Sequence, residues 1–157
     1  MTNEKKQEYT IRMTQSNRTG LLVTIYDLFL EYIKDAKESL DAGDKEGFKT
    51  AIGNAQPVLS ELVSVLDFQY EISFQLLEVY RYCSRCLATA LGKGDAEELA
   101  GAAVSISNIR KAFYEISLHD NSPKLMKNSQ KIYAGLTYGK GDLVETATGG
   151  TSRGFLV

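Results

Sequence analysis

Four stretches in which apolar residues return every three or four positions, separated by short breaks of turn chemistry, constrain this chain more than any other feature. The first runs Leu21, Ile25, Leu28, Phe29, Tyr32, Ala36, Leu40, a spacing that only a helix places on one side. Asn17 is a cap for its start, and Gly43 suits the left-handed residue that ends a helix. Asp44 then caps a second stripe, Phe48, Ile52, Ala55, Leu59, Leu62, Leu66, with Pro57 inside it and a bend expected there. After a turn near Asp67 to Gln69, a third stripe holds Ile72, Leu76, Val79, Cys83, Cys86 and Ala90 and stops at Gly92-Lys93-Gly94. The fourth opens with Asp95 and Glu98 in capping-box spacing and continues through Leu99, Ala103, Ile106, Ile109, Phe113 and Ile116.

Helices of about 23 residues, each about 35 Å long and joined mostly by a few residues, must lie antiparallel to their neighbours. The expectation is therefore an all-α fold, an antiparallel up-down-up-down four-helix bundle over residues 18–117. It is preceded by an N-terminal arm, 1–17, and followed by a flexible C-terminal tail, 118–157, whose spacing is compatible with a short helix over 124–133. Two prolines in 157 residues, where average usage would place about eight, agree with a chain given over to long helices. Strand signals are nearly absent: there is no clean run of alternating β-branched residues and no Asn-Gly hairpin turn.

Charge and end chemistry narrow the function. Eighteen basic and twenty acidic residues leave a formal charge of -2, without the basic excess that nucleic acid selects. The polar start, Met1 to Glu8, has no apolar run behind it, and no stretch approaches the roughly 20 apolar residues of a membrane span. A cytoplasmic protein without membrane insertion is expected. Cys83 and Cys86 form a CxxC, but both fall mid-helix on an apolar stripe, where they read as small buried hydrophobes and not as a redox or metal pair. His119 is the only histidine, so the paired Glu-x-x-His ligands of di-iron bundles cannot be built. No phosphate-binding glycine loop and no Ser/His/Asp arrangement occurs. The expectation is no enzyme, no metal, no cofactor and no small-molecule substrate.

What the chain does have is apolar surplus. Leu22, Tyr26, Leu30 and Ile33 adjoin the first stripe; Val58, Val63 and Val65 adjoin the second; Phe74, Leu77, Tyr80, Leu87 and Leu91 adjoin the third. A bundle helix needs a band of about three positions in seven, so these faces await cover. The arm, with Tyr9, Ile11 and Met13, and the tail, with Tyr133, Leu136 and Tyr138, are candidates within the chain. An amphipathic partner helix is the candidate outside it.

Several of these segments resemble the FliS-type flagellar secretion chaperones. Ile25-Tyr26-Asp27 is similar to that family's Leu-Tyr-Asp, and Leu59-Ser60-Glu61-Leu62 with Leu66-Asp67 to its Ile-x-Glu-Leu-x-x-x-Leu-Asp. Glu71-Ile72-Ser73 with Leu76, Tyr80 and Tyr82 resembles the start of its third helix, and Ile109-Arg110-Lys111-Ala112-Phe113 its Leu-Arg-x-Ala-Trp. The likeness runs in order over residues 9 to 117. It departs at Asn17-Arg18-Thr19-Gly20-Leu21, where the family has Ser-Pro-x-Glu-Leu.

The resemblance implies a chaperone that holds the disordered C-terminal segment of flagellin, prevents its premature polymerisation and keeps it competent for type III export, with the flagellar export gate as a further partner. Carried over residue by residue, Tyr26, Leu59, Leu62, Leu66, Leu77 and Tyr80 would be apolar anchors, and Asp27, Asp67 and Glu71 orienting polar groups. Tyr9 and Ile11 of the arm would cover the groove until flagellin arrives. Two other readings stay open: an adaptor for a different amphipathic peptide, and a phosphotransfer module acting through His119.

Overall fold

The computed structural model describes residues 1–127. It contains five helices and, among the described residues, no strand: α1 (Asn3–Gln15), α2 (Arg18–Asp41), α3 (Lys45–Ser64), α4 (Glu71–Lys93) and α5 (Leu99–His119). The count corrects the expected four, because the arm is itself a helix. Thr2 caps it by accepting from the Lys5 amide at 3.3 Å, and Glu4 stands in its first turn, where an acid complements the helix dipole. The long polar run Asn3 to Glu8 conceals this helix from a hydrophobic pattern.

Caps fixed by local chemistry fall where the sequence puts them. The Asn17 side chain accepts from the Gly20 amide at 2.9 Å, and Asp44 from the Gly47 amide at 2.8 Å. Gly43 and Gly94 take φ of 74° and 72°, a conformation in which any side chain would crowd its own carbonyl. α3 passes through Pro57 as one helix. The hydrogen bond that proline cannot make would have reached the carbonyl of Gly53, and both residues are exposed, so water can serve that carbonyl.

The start of α5 differs from the expected capping box. Asp95 accepts from the Glu97 amide at 3.1 Å, closing a turn, while Glu98 pairs with Lys93 at 3.1 Å across the loop. With both carboxylates engaged elsewhere, α5 starts at Leu99 without a side-chain cap.

Contacts link α2 to α3, α3 to α4, α4 to α5 and α5 back to α2, while α1 lies on α2 alone. Two polar contacts set the levels of these helices. The hydroxyls of Tyr26 and Tyr80 are 2.6 Å apart in the core, and Arg110 Nε donates to Asp27 Oδ1 at 2.7 Å. Tyr26 and Asp27 lie near the start of α2, Tyr80 equally near the start of α4, and Arg110 equally near the finish of α5. One end of the molecule therefore holds the starts of α2 and α4, the α3–α4 junction and the finish of α5.

The core rotates α2 from the expected facing while keeping Phe29 and Ala36 of the expected stripe inside. Val23, Thr24, Tyr26, Phe29, Ile33 and Ala36 are its buried residues, whereas Ile25, Leu28 and Tyr32 are only half-buried. Tyr26 and Ile33, read as surplus, thus belong inside. On α4, Tyr80 and Leu87 are likewise buried, and Ile72, expected on the core stripe, is exposed.

Chain following α5 is tied down at the same end. Asn17 Nδ2 donates to the Asp120 carbonyl at 3.0 Å, Thr19 donates to the Asp120 carboxylate, and the Leu125 amide donates to the Ser16 carbonyl at 3.1 Å. The tail expected from residue 118 therefore begins as the last two residues of α5 and an anchored strap. Lys124 to Lys127 are not helical; the rest of the expected 124–133 helix lies outside the described residues.

Candidate partner-binding surface

Two surfaces on this frame are candidates for partner contact. The first is the seam between α1 and α2. Asp27, Glu31 and Asp35 recur every fourth residue along α2, which places them on one face. Opposite them stand Arg12, 2.5 Å from Asp27, Lys5, paired with Glu31, and the amino group of Met1, 2.7 Å from Asp35. As the α1 number falls the α2 number rises, so the two helices run in opposite directions. Tyr9 reaches the Asp27 carbonyl at 3.4 Å. Between them remains a groove of about 210 Å³, lined by Tyr9, Met13, Leu28 and Tyr32 among others. α1 is thus clamped by charge at three points over an incompletely filled apolar floor.

Asp27 is the centre of that seam. Its two oxygens receive Arg12 of α1 and Arg110 of α5 separately, so one carboxylate joins three helices. Arg110 is held more firmly in its charged form by the hydrogen bond to Asp27. Lys5 is shifted the same way by its bond to Glu31.

The second surface is the α3–α4 junction. Phe68, Tyr70, Ile72 and Phe74 are 48%, 63%, 53% and 55% exposed, with Val63 and Val65 beside them in the chain. The Phe68 and Phe74 rings meet at 5.2 Å between centroids. Exposure here does not mean a loose chain. Asp67 Oδ1 accepts from the Gln69 amide at 3.0 Å, the Asp67 carbonyl accepts from the Tyr70 amide and from Ser73 Oγ at 2.6 Å, and Ser73 is buried. The junction is a closed turn that presents apolar rings outward. An ordered, exposed group of apolar side chains is a candidate for contact with other molecules.

The sequence-proposed residues divide by depth. Tyr26, Leu59, Leu62 and Tyr80 are core residues with at most 1% of their surface exposed, so in this conformation they support the surface and do not form it. Leu66 and Leu77 are half-buried, Leu66 against the core, and Asp67 and Glu71 are exposed at the junction. Asp67 builds the turn; Glu71 is the first residue of α4. Asp27 serves the α1 seam, where Tyr9 and Ile11 are half-buried. Phe68 and Tyr70 were not among the candidates. Their signal was the alternation Phe68, Tyr70, Ile72, Phe74 through a turn, since an apolar residue on a turn between two helices has no helix face to carry it inward.

Residues considered for catalysis have other surroundings. Cys83 and Cys86 are buried and free. Burial, with Cys86 adding to it, pushes the Cys83 thiol up to about 12, leaving it protonated and unreactive at neutral pH. The Tyr26 phenol is raised above its ordinary value by burial and by Tyr80, so it stays neutral. His119 is exposed at the finish of α5. No helix among the described residues is long and apolar enough to cross a membrane.

Five helices thus carry an ordered apolar surface and a charge-clamped first helix. Residues 1–120 match the family model described as flagellar protein FliS, and the chain belongs to that family. Membership makes it a chaperone of flagellar assembly and export, in a family not known for catalysis. A comparison with curated proteins gives no match.

Proposed function

We propose that this protein binds the C-terminal segment of flagellin in the cytoplasm, shields it from premature polymerisation and keeps it fit for export. In this reading α2 to α5 act as an antiparallel four-helix body, the exposed rings of the α3–α4 junction seat an amphipathic flagellin helix, and the export gate receives the loaded complex. The ordered, uncovered cluster Phe68, Tyr70, Ile72, Phe74 in a chain of the FliS family carries the reading. Ordering a disordered segment costs about 2–5 kcal/mol, and covering the exposed half of one such side chain returns about 1 kcal/mol, to which the partner's own buried side chains add. A few anchors are enough.

α1 fits the role of a removable cover. The part-exposed ion pairs of Lys5 and Arg12 are each worth about 0–1 kcal/mol, so a partner helix that buries the Leu28 and Tyr32 floor more fully than Tyr9 and Met13 do can replace it. Calorimetric titration with a C-terminal flagellin fragment tests the proposal. Saturable binding that weakens in Phe68→Ser/Phe74→Ser supports it; no heat at tens-of-micromolar flagellin with a folded protein, or binding only of an unrelated amphipathic peptide, rejects it.

A further inference from the structure

We propose that the α3–α4 junction of the free protein is occupied by the chain's own C-terminal segment, in the part that follows Lys127. Three independent observations converge on this occupant.

The first is charge. Between Lys49 and Arg81 the chain carries Glu61, Asp67, Glu71 and Glu78 and no basic residue, so the exposed rings sit in an acidic field. Between Asp120 and Asp142 it carries Lys124, Lys127, Lys131 and Lys140 and no acid. The apolar residues Leu125, Met126, Ile132, Tyr133 and Leu136 are interspersed with those lysines. The two stretches are complementary in charge and both apolar.

The second is where the chain leaves the body. The hydrogen bonds of Asn17, Thr19 and Ser16 to residues 120 to 125 fix the exit at the end of the molecule that holds the α3–α4 junction. Part of the ordering cost of the segment is already met by that strap. The third is reach. Crossing the end from the start of α2, where Leu125 is held, to the junction spans at most about two interhelical distances, or about 20 Å, which about six extended residues cover; the chain continues from Lys127 to Val157. A ligand tethered this closely has an effective concentration of millimolar order. Any partner of the junction must then compete with it, whether or not that partner is flagellin.

Paramagnetic relaxation in the full chain tests the proposal. A nitroxide on Thr137→Cys labels the segment, because Cys83 and Cys86 are buried. The amides of Phe68 to Gln75 should broaden several-fold more than those of Ala42 to Glu46 at the opposite end, and Phe68→Ser/Phe74→Ser should abolish the difference. Equal broadening at both ends, or broadening unchanged in that variant, overturns the proposal. Broadening seen only when labelled chains are mixed with unlabelled isotope-enriched chains assigns the contact to a second copy and overturns it as well.

Discussion

The apolar surplus of α2 and that of the α3–α4 region look alike in the sequence and meet opposite fates. On α2, Tyr26 and Ile33 turn inward and become core, and the half-buried residues left outside, Leu28 and Tyr32, lie under α1. At the α3–α4 junction, Phe68 and Tyr70 stay in solvent on a turn closed by Asp67 and Ser73, and Ile72 and Phe74 stay in solvent on the first turn of α4. Surplus within a helix can be absorbed by rotating the helix about its axis. Surplus on the turn at Phe68 and Tyr70, and beside buried Ser73 at Ile72 and Phe74, cannot, because the bonds of Asp67 and Ser73 fix its direction. The second kind is therefore the one that survives folding as a binding surface.

The sharpest break of this comparison is substitution inside the core. Leu62→Ala removes a fully buried side chain and should cost about 2–5 kcal/mol in denaturant unfolding, although the resemblance assigned Leu62 to partner contact. Tyr26→Phe comes next. It deletes one hydroxyl of the buried Tyr26–Tyr80 pair and leaves the other without a partner, at about 1–3 kcal/mol. The double variant with Tyr80→Phe should lose less than the sum of the two singles, which a thermal double-mutant cycle measures.

A smaller effect is expected of acid. Hydrogen bonds from Ser122 and Thr19 hold the Asp120 carboxyl down at about 2, against an ordinary 3.8. A depressed carboxyl favours the folded state above its ordinary value and ceases to do so as pH falls through its folded one. The 120–125 strap should thus loosen between about pH 4 and pH 2, read as faster exchange or lost nuclear Overhauser contacts of the Leu125 amide. Smallest of all should be Phe74→Ser, which leaves stability within about 0.5 kcal/mol because the ring is exposed. A loss near that of Leu62→Ala would erase the distinction between the two kinds of surplus.

Much of the fold was legible because its signals are local. Asn17, Asp44, Gly43 and Gly94 act within one turn of their own position, and the helices begin or end beside them. α1 was not legible, since Lys5 and Arg12 hold it through Glu31 and Asp27, partners distant in sequence that no periodicity reveals. Asp27 emerged from the resemblance as an orienting polar group, yet its partners Arg12 and Arg110 come from two other helices.

By itself the sequence determined that α2 to α5 are helices, where three of them begin, and that they carry more apolar surface than one stripe needs. Each of these follows from side-chain spacing and from hydrogen bonds a few residues long. Only the tertiary structure decided which apolar face of α2 and α4 turns inward, that residues 3–15 dock as a helix, and that the junction rings stay outside. A helix offers its faces by periodicity, but the choice among them depends on which neighbours can fill them, and those neighbours lie far along the chain.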